Sequence, residues 1–435
     1  MEKFVIDGGT ALSGTIVPAG NKNGALPILA ASILTEDDVL VRNVPRIKDI
    51  TTMLTLLEAL GVRVSWIADH DVLLCAADLR AGEFEVDRAL SEPIRASFLL
   101  AGPLLARFGR VLMPPPGGDV IGRRRLDPHL DAFAALGASV QHGRDIELRA
   151  RGGLCAGDVF MDEPSVMATE NALMAAARTP GSTVIGNAAC EPHVQDLARM
   201  LVKMGADVQG IGSNVITVNG AAQLHGCEHT IGPDHIEIGS FMALAGVTGG
   251  ELRIRDTLPR DLRMIRLVFD RLGLRSELDG DDVIVPGEQD LAIARDVGEH
   301  KITVQDGPWP AFPADLTSIA VALATQSAGT ALIHEWMFEN RMIFTDKLVL
   351  MGADITLCDP HRALVSGPSR LRGERVESPD IRAGMAMLIA ALCADGRSEI
   401  GNIRQIDRGY ERIDERLRAL GARIERVAAR PVAAA

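Results

Sequence analysis

The chain has 435 residues, with 45 Lys and Arg against 58 Asp and Glu and a formal net charge of -13. That balance excludes non-specific binding to nucleic acid or to an anionic membrane surface, so any site for an anion has to be built locally. Hydrophobic residues make up 47% and aromatics only 3%, which predicts a core of Ala, Val, Leu, Ile and Met with helices packed closely on sheets, in two or three domains.

In chain order, the opening phrase FVIDGGTALSG reads as a strand and a turn. A small-residue apolar helix is predicted over Asn23–Leu34, followed by a strand, a loop and an amphipathic helix that stops at Gly61. The same order returns over Ala96–Phe108 with a stop at Gly137, and over Ala168–Arg178 with a stop at Gly205. It returns again over Ile238–Val247 with Gly273, Leu316–Gln326 with Gly352, and Ala383–Ala394 with Gly421. A glycine directly after an amphipathic run is what a left-handed helix cap requires, because only Gly adopts positive φ without a Cβ penalty. Two strands follow each stop, so the chain reads as six βαβαββ repeats. The last repeat, ending ARIERVAAR, lacks its final strand. Residues from Phe4 to about Ala19 are therefore expected to complete it. The resulting fold class is α/β (α+β) with two three-repeat domains, residues 21–232 and residues 1–20 plus 233–435. The cleft between such domains is the expected ligand site.

The starts of the six apolar helices carry Lys22-Asn23, Arg95, Ser165-Val166, Asp234, Asp315, and Asp380 with Arg382. Free N–H groups already favour anions there, and a basic residue at that end costs helix stability, so Lys22, Arg95 and Arg382 suggest a ligand. The second loops add Arg46 and Lys48, then Arg123, Arg124 and Arg125, Glu191, Arg260 and Arg263, Arg341, and Arg408. Together they suggest a small polyanion such as a phosphate or a nucleotide. The bland alternative makes the arginines solvated ion pairs and makes Asp315 and Asp380 helix N-caps. The PPPGG run before Asp119 reads as a loop whose length and neighbouring arginines suit a lid. The six cysteines show no Cys-x-x-Cys pair, and no phosphate-loop, dinucleotide or metal-ligand motif is present. Chemistry without metal or cofactor is expected, in a reducing cytoplasm and without a membrane span.

The runs PAGNKNGALPILAA, PIRASFLLAGPLLARFG, PPGGDVIGRRRLDPH, WPAFPADL, FENR, SPDIRAG and IDRGYERI occur in this order. They resemble the enolpyruvyl transferases, and among them the UDP-N-acetylglucosamine 1-carboxyvinyltransferase family of peptidoglycan synthesis, from Met1 to about Val427. The shikimate-phosphate branch is a poorer match. The resemblance implies an inside-out α/β barrel in each of two domains. It also implies transfer of the enolpyruvyl group of phosphoenolpyruvate to the 3-hydroxyl of the nucleotide sugar, with no metal. Lys22, Asn23, Arg124, Arg341, Arg382 and Arg408 match residues that bind phosphoenolpyruvate. Asn23, Arg95, Arg124, Arg125, Pro128, Ser165, Val166, Asp315, Met337 and Phe338 match the UDP-sugar contacts. Asp315 matches the carboxylate that deprotonates the sugar hydroxyl, and Lys22 and Asp119 complete the catalytic set. Asp119 stands where many members carry a cysteine that acts as general acid, which implies resistance to fosfomycin, an epoxide that alkylates that thiol. Departures from the family pattern at Glu163, Met167, Arg125, Pro128, Leu99 and Gln405 bear on the nucleotide half of the acceptor. They keep two alternatives open, transfer to a nucleotide such as UMP and a silent nucleotide-sugar-binding paralogue.

Overall fold

The computed structural model describes residues 2–79, 84–118 and 121–428. These residues form two compact units, one built from 20–118 and 124–232 and the other from 2–19, 121–123 and 233–428.

In the first unit the helices Lys22–Ala31, Ala101–Phe108 and Val166–Ala177 form the interior. They are apolar on nearly every side, with all residues from Gly24 to Ala31 and from Ala168 to Ala177 buried, and a helix apolar all round has to be surrounded by protein. Small residues set how closely they approach. A Cβ on Gly102 would lie 2.7 Å from the Asn171 backbone oxygen.

Three four-stranded sheets cover these helices. In the second repeat, Phe84–Glu85 pairs parallel with Arg110–Met113, which pairs antiparallel with Ile146–Arg149, and Ser139–His142 closes the edge. The parallel pair is joined through the buried helix, the crossover that parallel pairing demands. Asp158–Phe160, Gly181–Gly186, Val215–Gly220 and Asp207–Gln209 repeat that order in the third repeat. The first repeat borrows its parallel strand, Glu228–Thr230, from the end of the unit and sets it beside Asp38–Arg42.

The second unit repeats the plan around His235–Thr248, Thr317–Ala324 and Ile381–Cys393. With helices inside and sheets outside, each unit is an inside-out α/β barrel. Its first sheet takes Gly14–Ile16 as the strand parallel to Leu252–Ile254. Its last sheet places Glu2–Asp7 antiparallel between Arg397–Gly401 and Arg423–Ala428, with Phe4 opposite both Ile400 and Arg426. Phe4 and Ile6 are fully buried there.

Outer helices such as Lys48–Leu60 bury one stripe, Ile50, Met53, Leu54, Leu56 and Leu57, and end at the repeat glycines. All six of these glycines, Gly61, Gly137, Gly205, Gly273, Gly352 and Gly421, have φ between +87° and +107°.

Three buried helices differ from the sequence reading, the first because Ser32–Leu34 of the expected Asn23–Leu34 helix is a 3-10 turn. The segment expected as one helix from Ala96 opens as the 3-10 turn Arg95–Leu100 and becomes α-helical only at Ala101. Pro103 lacks an N–H and costs least in the first turn of an α-helix, which is where it falls when the α register starts at Ala101. Similarly, Leu316 belongs to the 3-10 turn Ala314–Leu316 that precedes Thr317–Ala324.

Candidate active site

In the first unit Lys22 opens a buried helix whose N-cap is Asn21, and the Asn21 side chain accepts from Gly24 N at 3.0 Å. Lys22 Nζ lies 2.8 Å from Asp49 Oδ2, both side chains being nearly buried. A cation placed at the positive end of a helix needs such a counter-charge. Asn23 is half-buried beside it.

The Arg95 Nη2 group donates to the backbone oxygens of Arg124 at 2.8 Å and Arg125 at 3.0 Å, which fixes the turn carrying both arginines. Burial, reinforced by the Arg124 charge, pushes Arg95 down to about 10. Arg125 Nη1 reaches Asp162 Oδ2 at 2.7 Å and Glu163 Oε2 at 3.6 Å, so two of the departures from the family pattern face each other and offset in charge. Pro128 lies in the first turn of the helix Asp127–Ala135. Ser165 caps the helix Val166–Ala177, its hydroxyl accepting from Ala168 N at 3.4 Å. Asp119 lies outside the described residues.

In the second unit Asp315 is the centre of a charged triad. Its Oδ1 accepts from Nη1 and Nη2 of Arg341, both at 3.0 Å, and its Oδ2 accepts from Arg382 Nε at 3.1 Å. Arg341 and Arg382 are 7% and 5% exposed, and burial costs each of them solvation that the Asp315 carboxylate offsets, raising both above the ordinary arginine value. The Phe338 ring packs 5.0 Å from the Arg341 guanidinium and the Tyr410 ring 5.4 Å from that of Arg382. Met337 N donates to Asp306 Oδ2 at 3.3 Å. Arg408 ends the 3-10 turn Ile403–Arg408 and donates to Gln405 Oε1 at 2.9 Å.

The two aspartates that sequence reading treated alike differ. Asp380 is an N-cap, its Oδ1 accepting from Arg382 N at 2.8 Å and Ala383 N at 2.9 Å. Asp315 sits inside a 3-10 turn and turns both oxygens to arginines. Of the loop arginines, Arg46 instead stacks on Trp66 at 4.0 Å.

Sequence reasoning missed the buried histidines behind these groups. Asn171 Oδ1 accepts from Gly102 N at 2.8 Å, so its amide nitrogen donates to Phe98 O at 3.0 Å and to His129 Nδ1 at 2.9 Å. Neutral His129 therefore carries its proton on Nε2. Burial, then the Arg95 charge, pushes His129 down to about 3. Burial, then Arg382, pushes His235 down to about 4 against the opposing pull of Asp315. Both values lie below the unfolded value near 6.5, so the unfolded chain takes up protons that the fold refuses. The stability held by the neutral rings is whole above about pH 6.5 and is lost as pH falls toward about 4 and then about 3. As pH is lowered from 7.5 to 4.5, the unfolding temperature of the parent is expected to fall relative to that of His129→Gln.

A model of the family described as EPSP synthase (3-phosphoshikimate 1-carboxyvinyltransferase) matches residues 6–417. A UDP-N-acetylglucosamine 1-carboxyvinyltransferase of Bradyrhizobium diazoefficiens is 55% identical over 425 residues, covering 98% of both chains. The chain belongs to the UDP-N-acetylglucosamine 1-carboxyvinyltransferase family. A member from Treponema denticola is 52% identical over 98% of this chain and 99% of its own. Among solved structures, an enolpyruvyl transferase from Streptomyces tendae shares the fold with a TM-score of 0.86 at 23% identity, covering 99% of both chains. An EPSP synthase from Acinetobacter baumannii shares it with a TM-score of 0.74 at 18% identity over 98% of this chain and 100% of its own. No helix among the described residues is long and apolar enough to cross a membrane.

Proposed function

We propose that this protein transfers the enolpyruvyl group of phosphoenolpyruvate to the 3-hydroxyl of UDP-N-acetylglucosamine and releases phosphate, in the cytoplasm, as the first committed step of peptidoglycan synthesis. The observation that carries the reading is Asp315 held at 3.0 and 3.1 Å between the buried guanidinium groups of Arg341 and Arg382. A carboxylate oriented in this way serves as general base, and two desolvated arginines beside it suit the carboxylate of the donor.

In the proposed reaction Asp315 takes the proton of the sugar hydroxyl as its oxygen bonds to C2 of phosphoenolpyruvate, while a general acid protonates C3. Loss of a proton from C3 then expels phosphate and restores the double bond. Lys22, Arg124 and Arg408 are assigned to the phosphate, whose charge grows as it leaves. Asn23, Arg95, Arg125, Pro128, Ser165, Val166, Met337 and Phe338 are assigned to the nucleotide sugar. Asp119 is assigned as the acid at C3, a role open to a carboxyl whose proton is held by burial beside phosphate.

Phosphate release from phosphoenolpyruvate tests the reaction, with UDP-N-acetylglucosamine, UMP or no acceptor in parallel. Release with the nucleotide sugar alone is expected. Release with UMP alone overturns the acceptor, and none with either overturns transfer. With a carboxylate at position 119, incubation with fosfomycin is expected to leave the intact mass unchanged, and a covalent adduct would contradict the assignment of Asp119.

A further inference from the structure

Behind Arg341 lies a carboxyl group that the reaction scheme does not use. Glu335 is fully buried, and its Oε2 stands 3.9 Å from Arg341 Nε. Its backbone is fixed from both directions: Glu335 N donates to His361 O at 2.8 Å, and His361 Nδ1 donates to Glu335 O at 2.7 Å. The next two N–H groups, of Trp336 and Met337, both donate to the buried carboxylate of Asp306. The side chain is thus held facing Arg341, Asp306 and the Thr317 hydroxyl. Neither Glu335 oxygen, nor Arg341 Nε, nor Thr317 Oγ1 makes a hydrogen bond of normal geometry. So many orphaned polar atoms gathered at one buried point call for a reason other than stability.

We propose that Glu335 is a positioning residue, a buried carboxyl that holds the plane of the Arg341 guanidinium from behind so that both Nη groups meet Asp315 and an anionic substrate group. The inference rests on the proposed function in taking that group to be the carboxylate of phosphoenolpyruvate. Electrostatics agrees with the geometry. Burial, with Asp306 acting in the same direction, raises Glu335 well above the ordinary carboxyl value against the pull of Arg341, which favours its neutral form. A second full negative charge at 3.9 Å would cancel the charge that Arg341 offers to an anion. A neutral carboxyl keeps its dipole against Arg341 Nε at that distance without doing so.

Three variants separate positioning from packing: Glu335→Gln, Glu335→Asp and Glu335→Leu, each checked for folding by thermal unfolding. Kinetics would follow phosphate release from phosphoenolpyruvate with UDP-N-acetylglucosamine, and crystal structures would report where Arg341 points. Glu335→Gln, isosteric and neutral, is expected to keep KM for phosphoenolpyruvate within about threefold of the parent. Glu335→Leu, and Glu335→Asp with its carboxyl withdrawn by one methylene, are expected to raise that KM roughly tenfold with little change in kcat, and to move Arg341 Nη off Asp315. A parental KM in the Leu and Asp variants, or a Gln variant as impaired as they are, overturns the inference. If the parent enzyme releases no phosphate, the functional reading falls by itself. The crystal structures then decide Glu335, and an unmoved Arg341 in the Asp or Leu variant overturns the role.

Discussion

Asp315→Asn is expected to lower kcat by about 10²- to 10⁴-fold, the usual worth of a positioned general base, without raising KM for phosphoenolpyruvate. The amide keeps the shape of the side chain and can accept from one arginine, but it takes no proton. It also removes the negative charge that Arg341 and Arg382 share at 3.0 and 3.1 Å, so both guanidinium groups become stronger sites for the donor carboxylate. A purely structural Asp315 predicts the opposite pattern, in which the arginines lose their anchor and KM rises with kcat little changed. Steady-state kinetics with each substrate varied separates the two. A kcat within tenfold of the parent would place the base elsewhere.

Glu237→Ala is expected to destabilise the protein by about 3–5 kcal/mol, because it strands a partner of a buried ion pair. Glu237 is 1% exposed. Its Oε1 accepts from Arg416 Nη2 at 2.7 Å and from Ala19 N at 2.9 Å, and its Oε2 accepts from Arg416 Nη1 at 2.9 Å. The same guanidinium donates to Val17 O at 2.9 Å and lies 5.1 Å from the Phe241 ring. Removing the carboxylate orphans a largely buried cation and a backbone N–H in one step. Calorimetry should show the transition of the unit containing residue 237 falling by roughly 6–20 °C. Glu237→Ala combined with Arg416→Met should recover part of the loss, since the stranded charge is then gone. A shift under about 2 °C for the single variant would mean that the pair contributes little.

Periodic features were the ones legible in the sequence. The six glycines mark helix ends because each needs positive φ, and the missing last strand points to the N-terminal segment because a three-repeat sheet set cannot close without it. The roles of Lys22, Asp315, Arg341 and Arg382 came from the resemblance rather than from spacing, and the structure brings the last three into contact. Less legible were features that depend on a third dimension. Nothing local distinguishes Asp315 from Asp380, since both stand before apolar helices and only the arginines brought to Asp315 set it apart from the cap. His129, His235 and Glu335 look like ordinary polar residues in the sequence. Their altered proton affinities come from burial and from charges distant in the chain, as Arg382 and Asp315 are from His235. The meeting of Arg125 with Glu163 likewise turns two apparent departures into one compensated change.

The strand Glu2–Asp7 also sets an order of events during synthesis. Every strand of the first unit has been made once Thr230 is complete, so that unit can fold while the ribosome is still translating. Glu2–Asp7 is made long before the strands it pairs with. Its partners are Arg397–Gly401 and Arg423–Ala428, and the ion pair from Lys3 to Glu399 spans 396 residues. At about 5–20 residues per second the wait is roughly 20–80 s. For that time a strand carrying Phe4 and Ile6 has both edges open, the condition in which strands pair with the wrong chain. The nascent protein is thus a folded half tethered to an unpaired strand, and its yield in the cell depends on what shields six residues until the last repeat is finished.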